Sequence, residues 1–486
     1  MTAMRLLLLL IAGAIGACSQ AKQPHGFSVP ANAAAESTAY LENLREEARI
    51  AGLAAAVAVD GEIVWSGGFG LADAEAGIAV TPDTVFRIGS VSKVLTAAAL
   101  ARMVDTREIA LDVPVAELVP EYGTKGEALT PRLLAAHLGG VRHYRYDEEE
   151  DKRAYDDVVD ALEVFADDPL VRAPGSGEVY SSYGFVLLSA AMQRAADEAF
   201  PDLMRQYVFA PLGMKDTQPD GRDKRSLPGR TRHYDGAEPA EDIDISYKWA
   251  GGGFLSTAED LARFGSAFLP GSDFLSAQTA ATMFTRQRDA GGIETSYGLG
   301  WVVDAFDDGS PVYYHGGTVL GGHAHLSVEP RTGVVVAILA NRESNFGLEQ
   351  GLRLSCLFKP RTPCELPVAV REENAKIGVA IGAIQRTFPA FLEALGQGDL
   401  ETVGTFIDER FHSAQWSSKN DLLGFAEAAF QQGGIETGGD LDIGIRGVEA
   451  GDFTFVRGVE FSHGFETGTT LVFRFDGEDW RLIGTE

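Results

Sequence analysis

Hydrophobic and polar positions along the chain predict strands at its two ends and helices between them. Leu53–Val59 is apolar, Asp60-Gly61 interrupts it, and Glu62–Trp65 resumes it, which predicts a β-hairpin with an Asp-Gly turn. A second continuous apolar run, typical of a buried strand, is Val334–Leu339. Helical patterning lies between them, at Asp156–Ala166 and Gly184–Glu198. The order predicts an α+β domain whose terminal strands share one sheet.

One helix carries polar residues where a buried helix should have none. Val94–Ala101 is almost continuously apolar, which predicts a helix buried on every side. Its first turn nevertheless contains Ser90, Ser92 and Lys93. An unpaired lysine in an apolar helix is costly, so this turn is a candidate for chemistry.

A second block begins after a proline-rich break that includes Pro360, Pro363 and Pro367. Its first part predicts three helices: one over Ala375–Leu395, a second that begins after Asp399 as its N-cap, and a third over Asn420–Gln431. Its last part predicts strands, because apolar residues alternate there, as at Leu471, Phe473 and Phe475. These strands are predicted at Leu441–Ile445, Phe453–Phe461, Thr469–Phe475 and Trp480–Ile483.

Composition narrows the class of protein. The chain has 486 residues, of which 45% are hydrophobic, so it can form two or three domains with real cores. Its formal net charge is −29, which argues against nucleic acid or an anionic membrane surface as a partner.

The N-terminus predicts export and lipid anchoring. Arg5 precedes an apolar run, Leu6–Ile15, that is too short to span a bilayer. The tetrad Ile15-Gly16-Ala17-Cys18 resembles a bacterial lipobox, which implies a signal peptide over residues 1–17 and a lipid on Cys18. The alternative is an ordinary signal peptide cleaved nearby. Residues 18–35 are then a tether, and the expected location is the periplasmic side of the bacterial envelope, on the outer membrane.

The remaining cysteines, Cys356 and Cys364, are close in sequence. In an oxidising compartment this spacing allows a short-loop disulfide, although the sequence does not determine the geometry.

Ser90 and Lys93 form an S-x-x-K motif. Residues three apart on a helix share a face, so the amine can reach the hydroxyl. A serine is a weak nucleophile until a base removes its proton, and burial lowers a lysine's pKa until it can act as that base. Unpaired N–H groups at the helix N-terminus are available to stabilise an oxyanion. The motif also arises by chance in a chain of this length, so it needs partners.

Further motifs in order along the chain resemble the serine beta-lactamase-related superfamily of class C beta-lactamases, DD-peptidases, D-aminopeptidases and esterases. GGVRHY, EVFADDPL and YSSYGFVLLSAA are most similar to the mitochondrial beta-lactamase-like branch and its bacterial relatives. The resemblance covers Leu53 to Asn341 and rests on FRIGSVSK, LTPRLLAAHLGGVRHY, APGSGEVYSSYGFVLLSA, FAPLGMKDT, AGGGFLSTAEDLARF, YGLGW and YHGGTVLGG. It implies a beta-lactamase/transpeptidase-like fold over residues 36–366, with an antiparallel sheet, helices on both sides and a helical region.

The resemblance also implies roles for individual residues. Ser90 matches the nucleophile and Lys93 its partner, and Tyr180 matches the tyrosine of the second motif. That phenol could relay a proton to the leaving group if a nearby cation lowered its pKa. His315, Gly316 and Gly317 match the third motif, and the backbone N–H of Thr318 would join that of Ser90 as the oxyanion hole.

Two positions depart from the family pattern. Ser182 stands where the second motif often has asparagine, and it is expected to line the substrate site with Gly316, Gly317 and Thr318. His315 stands where beta-lactamases have lysine. A mostly neutral histidine is a weaker anchor for a carboxylate, so it is expected to act as a hydrogen-bond partner of Ser90 or Tyr180. A protonated His315 that binds a substrate carboxylate remains the alternative.

The other histidines are interpreted more cautiously. His323 and His325 alternate on a predicted strand and share a face, but no third ligand accompanies them. Packing or lining of the site is therefore favoured over metal binding, and His137 and His143 are interpreted as structural. The sequence lacks H-E-x-x-H, P-loop and dinucleotide motifs, so neither a metal nor a cofactor is expected.

The second block, residues 371–486, resembles the nuclear-transport-factor-2-like cone, on the cue FLEALGQGDLETV. An accessory or homodimerisation role is predicted for it. The whole chain is predicted to be a metal-independent serine hydrolase that acts on amides or peptides, D-residue peptides included, then on small esters, then on beta-lactams. The alternative is a non-hydrolytic binding or scaffold protein that retains the fold.

Overall fold

The computed structural model of the chain describes residues 28–145, 148, 153–221, 227–235 and 238–359. Beyond these it describes residues 364, 366–368, 370–371, 390, 393–394, 397, 399–407 and 423, and four strands. The predicted signal peptide, Cys18 and most of the tether lie outside the described residues. So do the predicted strand Leu441–Ile445 and most of the predicted helices 375–395 and 420–431.

Strands occur in both blocks of the chain, and the longest of them lie at the two ends of the first block, as the sequence predicts. They are β1 (Gly52–Val59), β2 (Glu62–Asp73), β3 (Ile78–Ala79), β4 (Phe86–Arg87), β5 (Gln218–Pro219), β6 (Tyr234–Asp235), β7 (Glu238–Pro239), β8 (Phe254–Ser256), β9 (Val302–Ala305), β10 (Pro311–Val319), β11 (Gly322–Glu329), β12 (Val334–Ala340), β13 (Gly447–Ala450), β14 (Thr454–Arg457), β15 (Leu471–Phe475) and β16 (Trp480–Thr485).

Helices fill the middle of the first block and flank it. They are α1 (Ala33–Glu47), α2 (Ser92–Thr106), α3 (Val115–Leu118), α4 (Pro131–Ala135), α5 (Ser182–Ala196), α6 (Phe200–Met204), α7 (Trp249–Gly252), α8 (Ala258–Ser266), α9 (Ala277–Met283), α10 (Leu348–Leu357) and α11 (Leu400–Thr405). Short 3₁₀ segments occupy Gly89–Val91, Pro120–Tyr122, Thr124–Ala128, Asp160–Val164 and Ser246–Lys248, and a π turn occupies Arg205–Phe209.

The first and last strands of this block share one antiparallel sheet, which confirms the α+β prediction. The strand order in the described chain is β3-β2-β1-β12-β11-β10-β9, and Ala56 of β1 lies opposite Ala337 of β12. The predicted hairpin is present: Asp60 and Gly61 both have positive φ, 52° and 89°. Those angles suit the tight turn that matches the twist of a hairpin.

Both faces of the sheet are covered, which explains why β1 is apolar throughout. Its even-numbered residues, Ala54, Ala56 and Ala58, pack with the core formed by α2, α5 and α8. Its odd-numbered residues, Leu53, Ala55 and Val57, pack with α1 and α10. A strand buried on both faces has no polar alternation.

Two boundaries differ from the prediction. Helix α1 begins at Ala33, which is buried, so the last residues of the predicted tether belong to the folded domain. The predicted helix Asp156–Ala166 is only a 3₁₀ segment, Asp160–Val164. Its apolar residues Ala161, Leu162 and Phe165 are buried against the core, so their spacing reflects packing of an irregular segment.

The second block shows the predicted order of helix and then strands. Asp399 caps α11, since its carboxylate accepts the Thr402 N–H, as predicted. Strands β13 to β16 form an antiparallel sheet in sequence order. The resemblance to a nuclear-transport-factor-2-like cone stays a prediction.

The fold answers the question of the two remaining cysteines. Cys356 of α10 and Cys364 form a disulfide, with their Cα atoms 5.9 Å apart. Among the helices of the described residues, none combines the length and the apolar character needed to cross a membrane.

Candidate active site

The S-x-x-K residues lie at the junction of β4 and α2. A 3₁₀ turn, Gly89–Val91, holds Ser90, and the first turn of α2 holds Lys93. The Lys93 side chain is fully buried, and its Nζ lies 2.9 Å from Ser90 Oγ. The predicted proximity of amine and hydroxyl is therefore present.

Two other groups surround the Lys93 amine. Its Nζ lies 2.8 Å from Ser182 Oγ and 2.5 Å from the carbonyl oxygen of Gly251. Burial, and secondly the nearby Lys248 cation, hold the pKa of Lys93 well below its usual range. A lysine in this state can accept a proton near neutral pH.

Tyr180 lies directly beside the lysine. Lys93 Nζ lies 4.7 Å from the centre of the Tyr180 ring. Burial raises the pKa of the phenol above its ordinary value, although a hydrogen bond with Ser90 opposes this. The condition set from sequence, a pKa lowered by a nearby cation, is therefore wrong: desolvation is the larger effect, and Tyr180 is a neutral phenol that can donate a proton.

His137 and His143 hold the second motif in place. The Ser181 N–H donates to His137 Nδ1, and the Ser182 N–H donates to His143 Nδ1, each over 3.1 Å. Both rings contact Tyr180, with centroids 4.4 and 5.3 Å away. Both histidines have a structural role, as predicted. They support the candidate site itself, and the spacing of residues along the chain could not reveal how close to Tyr180 they lie.

The third motif lies on β10, next to the turn Gly89–Val91, which we call the nucleophile turn because it holds the candidate nucleophile Ser90. Pairing of β10 with β9 ends at Tyr314, so the following residues have an edge free of β9. A side chain on Gly317 would place its Cβ 2.1 Å from the Ile88 carbonyl oxygen and 2.8 Å from Ser90 N. A side chain on Gly89, whose φ is +48°, would meet Thr318 N at 2.7 Å. These glycines let the backbone at Ser90 and the backbone at Thr318 approach closely, and the two N–H groups remain the candidate oxyanion hole.

His315 lies in the site but makes a different contact from the one expected. Its Nδ1 lies 2.5 Å from the Gly316 carbonyl oxygen, and in the described chain its Nε2 has no hydrogen-bond partner. Burial, then the Lys93 charge, lower its pKa to about 3. It is therefore neutral at physiological pH. The expected hydrogen bond to Ser90 or Tyr180 is replaced by the bond to Gly316, and a charged anchor is absent at this position.

Ser182 differs from its expected role as a substrate contact. It is 1% exposed, and its hydroxyl is used by Lys93. Position 182 therefore supports the Lys93 amine from inside the protein, and a side chain as short as serine suffices to reach it.

Sequence reasoning missed two buried cations and one carbonyl. Arg87, 1% exposed, donates to Asp220, to Asp242 and to the backbone carbonyl of Leu320. It thereby links the nucleophile turn to the β10–β11 hairpin. Lys248 stacks 4.7 Å from the Tyr144 ring centre, in the segment that also presents the Gly251 carbonyl. The stretch AGGGFLST marked this segment without indicating a role.

His323 and His325 share a face of β11, as predicted, and both are buried. Neither contributes to a metal centre in the described part of the chain, where no group of three or more His, Cys, Asp or Glu residues is placed to hold an ion.

The chain is similar in sequence to several known proteins. Residues 38–354 match the family described as beta-lactamase. The human mitochondrial serine beta-lactamase-like protein is 32% identical over 50% of this chain and 57% of its own length. Penicillin-binding protein 4 of Amycolatopsis lactamdurans is 31% identical over 61% and 82%. Esterase EstB of Burkholderia gladioli is 30% identical over 65% and 93%.

Solved structures give the same fold. The octameric penicillin-binding protein homologue from Pyrococcus abyssi superposes with a TM-score of 0.60 at 18% identity, over 92% of this chain and 95% of the other. A class C beta-lactamase gives 0.57 at 19% identity, over 67% and 96%. The present chain spans little more than half the length of the human relative.

Proposed function

The chain belongs to the beta-lactamase family, and from this premise we propose that it hydrolyses amide or ester bonds through an acyl-enzyme formed on Ser90. The observation that carries the proposal is the fully buried Lys93 amine, 2.9 Å from the Ser90 hydroxyl. A neutral amine has two N–H donors and one lone pair. The Gly251 carbonyl can only accept, and Ser182 can accept the second N–H, so the lone pair is left to receive the Ser90 proton.

Acylation uses this lone pair. Ser90 Oγ attacks the substrate carbonyl carbon while its proton passes to Lys93 Nζ. The carbonyl oxygen becomes an oxyanion that accepts the N–H groups of Ser90 and Thr318. Tyr180 donates its phenolic proton to the leaving amine or alcohol, and Lys93 returns a proton to the phenolate. Burial keeps the Tyr180 phenol protonated in the resting enzyme, so its proton is present for transfer to the leaving group.

Deacylation repeats these steps with water as the nucleophile. Lys93 accepts the water proton, either directly or through Tyr180, and the same two N–H groups stabilise the second oxyanion. Ser90 then recovers its proton as the acid product leaves. The cycle needs no metal or cofactor.

The neutral third motif favours uncharged substrates. A lysine at position 315 would offer a permanent cation to a substrate carboxylate, whereas His315 has a pKa of about 3. The similarity to an esterase and to a penicillin-binding protein supports ester and amide substrates. We therefore rank amides and peptides first, including those with D-residues, then small esters, and carboxylate-bearing beta-lactams last.

Covalent labelling tests the proposal. A fluorophosphonate probe on the full chain should add one adduct by intact mass, and Ser90→Ala should abolish both the adduct and turnover. Ser92→Ala is the matched control: this neighbouring serine binds the backbone N–H of Phe254, so its loss should leave labelling intact. Lys93→Met should slow labelling by a factor on the order of 10² to 10⁴.

Two outcomes would contradict the proposal. Adduct formation on folded Ser90→Ala would show that another residue is the nucleophile. A folded wild-type chain that neither labels nor turns over D-residue peptides, p-nitrophenyl esters or nitrocefin would favour the scaffold alternative.

The proposed setting is the bacterial envelope. The lipobox-like tetrad ending at Cys18 supports an N-terminal lipid anchor on the membrane, with the hydrolase facing the periplasm. For residues 371–486 we propose an accessory or homodimerisation role, since the sequence offers no acid–base pair there.

A further inference from the structure

His323 bridges the oxyanion strand and the wall of the core. Its Nε2 lies 2.7 Å from the Phe346 carbonyl oxygen, and its Nδ1 lies 2.9 Å from Thr318 Oγ1. A carbonyl oxygen can only accept, so Nε2 carries the proton of the neutral ring. Nδ1 is therefore a lone pair, and the Thr318 hydroxyl donates to it. Burial lowers the pKa of His323 to about 4, so this arrangement persists at neutral pH.

The two ends of this bridge differ in burial and in strand pairing. Phe346 is 3% exposed and belongs to the core beneath β1 and α10. Thr318 is exposed, lies opposite His323 near the end of the β10–β11 hairpin, and follows the point where β10 loses β9 as a neighbour. The segment of β10 that presents the Thr318 N–H therefore pairs with β11 but not with β9. The hydrogen bond between the Thr318 hydroxyl and His323 adds one further contact to this segment.

We infer that His323 is a positioning residue for the reaction: it holds the Thr318 side chain so that the Thr318 backbone N–H points at the developing oxyanion. The inference rests on the proposed function. An oxyanion donor contributes only when it is oriented before charge develops. A Thr318 side chain that rotates freely would let the peptide between Gly317 and Thr318 tilt, and its N–H would lose alignment with that of Ser90.

Two isosteric variants separate this role from ordinary packing. Asparagine at position 323 places an acceptor where Nδ1 stands, and so keeps the bond to Thr318 while losing the bond to Phe346. Glutamine reaches the position of Nε2, and so keeps the bond to Phe346 while losing the bond to Thr318. His323→Asn loses the buried hydrogen bond to Phe346, whereas His323→Gln loses the half-buried one to Thr318. A purely structural role therefore predicts that His323→Asn is affected at least as much as His323→Gln.

The expected result is a split between the variants in kcat. With p-nitrophenyl acetate and the full chain, His323→Gln and Thr318→Val should each lower kcat by about tenfold, a part of the 10²–10³ for losing a whole donor, with KM within twofold. His323→Asn, which keeps the bond to Thr318, should keep kcat within threefold of wild type. The double variant His323→Gln/Thr318→Val should be no slower than the slower single variant, because both changes remove the same bond.

Each other outcome overturns the inference. Equal kcat for the Asn and Gln variants, with matching losses in thermal stability, would show that His323 only packs. Additive losses in the double variant would show that the two residues act independently. Wild-type turnover no faster than that of Ser90→Ala would overturn the proposed function together with this inference, whereas Ser90-dependent turnover without the Asn/Gln split overturns this inference alone.

Discussion

Gly317→Ala should separate the oxyanion strand from the nucleophile turn. The added Cβ would lie 2.1 Å from the Ile88 carbonyl oxygen, and real Cβ atoms essentially never approach within 3.0 Å. The obstructing atoms are backbone, so β10 and residues 88–91 must separate by about 1 Å, and a displacement of that size can cost about 100-fold in rate. We expect kcat to fall about 100-fold, or ~2.7 kcal/mol, with a smaller change in KM. Overpacking should also lower the free energy of unfolding by about 1–3 kcal/mol.

Gly316→Ala is the matched control, because a Cβ at this neighbouring position meets no atom within 4 Å. Steady-state hydrolysis of a p-nitrophenyl ester and urea denaturation of both variants measure the two effects. A Gly317→Ala enzyme whose kcat is within threefold of that of wild type would refute the close approach of the two segments. Equal losses in both variants would indicate that flexibility of the strand, rather than contact with Ile88, controls the rate.

Buried imidazoles, the third motif and the lipid anchor each predict a further result. His325 is fully buried, with a pKa lowered to about 3 by burial and by its neighbours His323 and His315. Below pH ~6.5 His325 binds a proton in the unfolded chain but not in the native chain, so the free energy of unfolding should fall from there toward pH ~3. Urea denaturation of His325→Leu across this pH range should show a smaller fall. His315→Lys should raise kcat/KM for nitrocefin relative to a neutral ester, and an equal loss on both would show that His315 acts on the chemical step. Cys18→Ser should release the protein or leave uncleaved precursor on fractionation, and a mature-sized variant that stays with the membranes would exclude the lipobox.

Local sequence was enough for features that depend on neighbours along the chain. Asp60-Gly61 predicts its hairpin because the turn needs two positive φ angles within two residues. Ser90 and Lys93 meet because helical geometry alone brings residues three apart together. Strands predicted at both ends of the first block, with helices between them, predicted an α+β domain in which these strands share a sheet.

Features made by distant segments could not be predicted in this way. The Lys93 amine receives its carbonyl partner from Gly251, and the nucleophile turn is fastened by Arg87 to Asp220 and to the β10–β11 hairpin. The resemblance to known hydrolases indicated which segments take part but gave none of these contacts. The helix predicted at residues 156–166 is only a 3₁₀ segment, because its apolar spacing serves packing against the rest of the core.

The sequence by itself therefore determined the candidate nucleophile, its lysine neighbour and the strand–helix–strand order, all of which follow from short-range geometry and patterning. Only the tertiary structure decided the protonation states and hydrogen-bond partners of the site. Tyr180 keeps its proton because burial by remote elements outweighs its hydrogen bond with Ser90. His315 stays neutral because burial, reinforced by Lys93, outweighs its hydrogen bond with Gly316. Desolvation depends on everything packed around a group, and no spacing of residues along one chain records it.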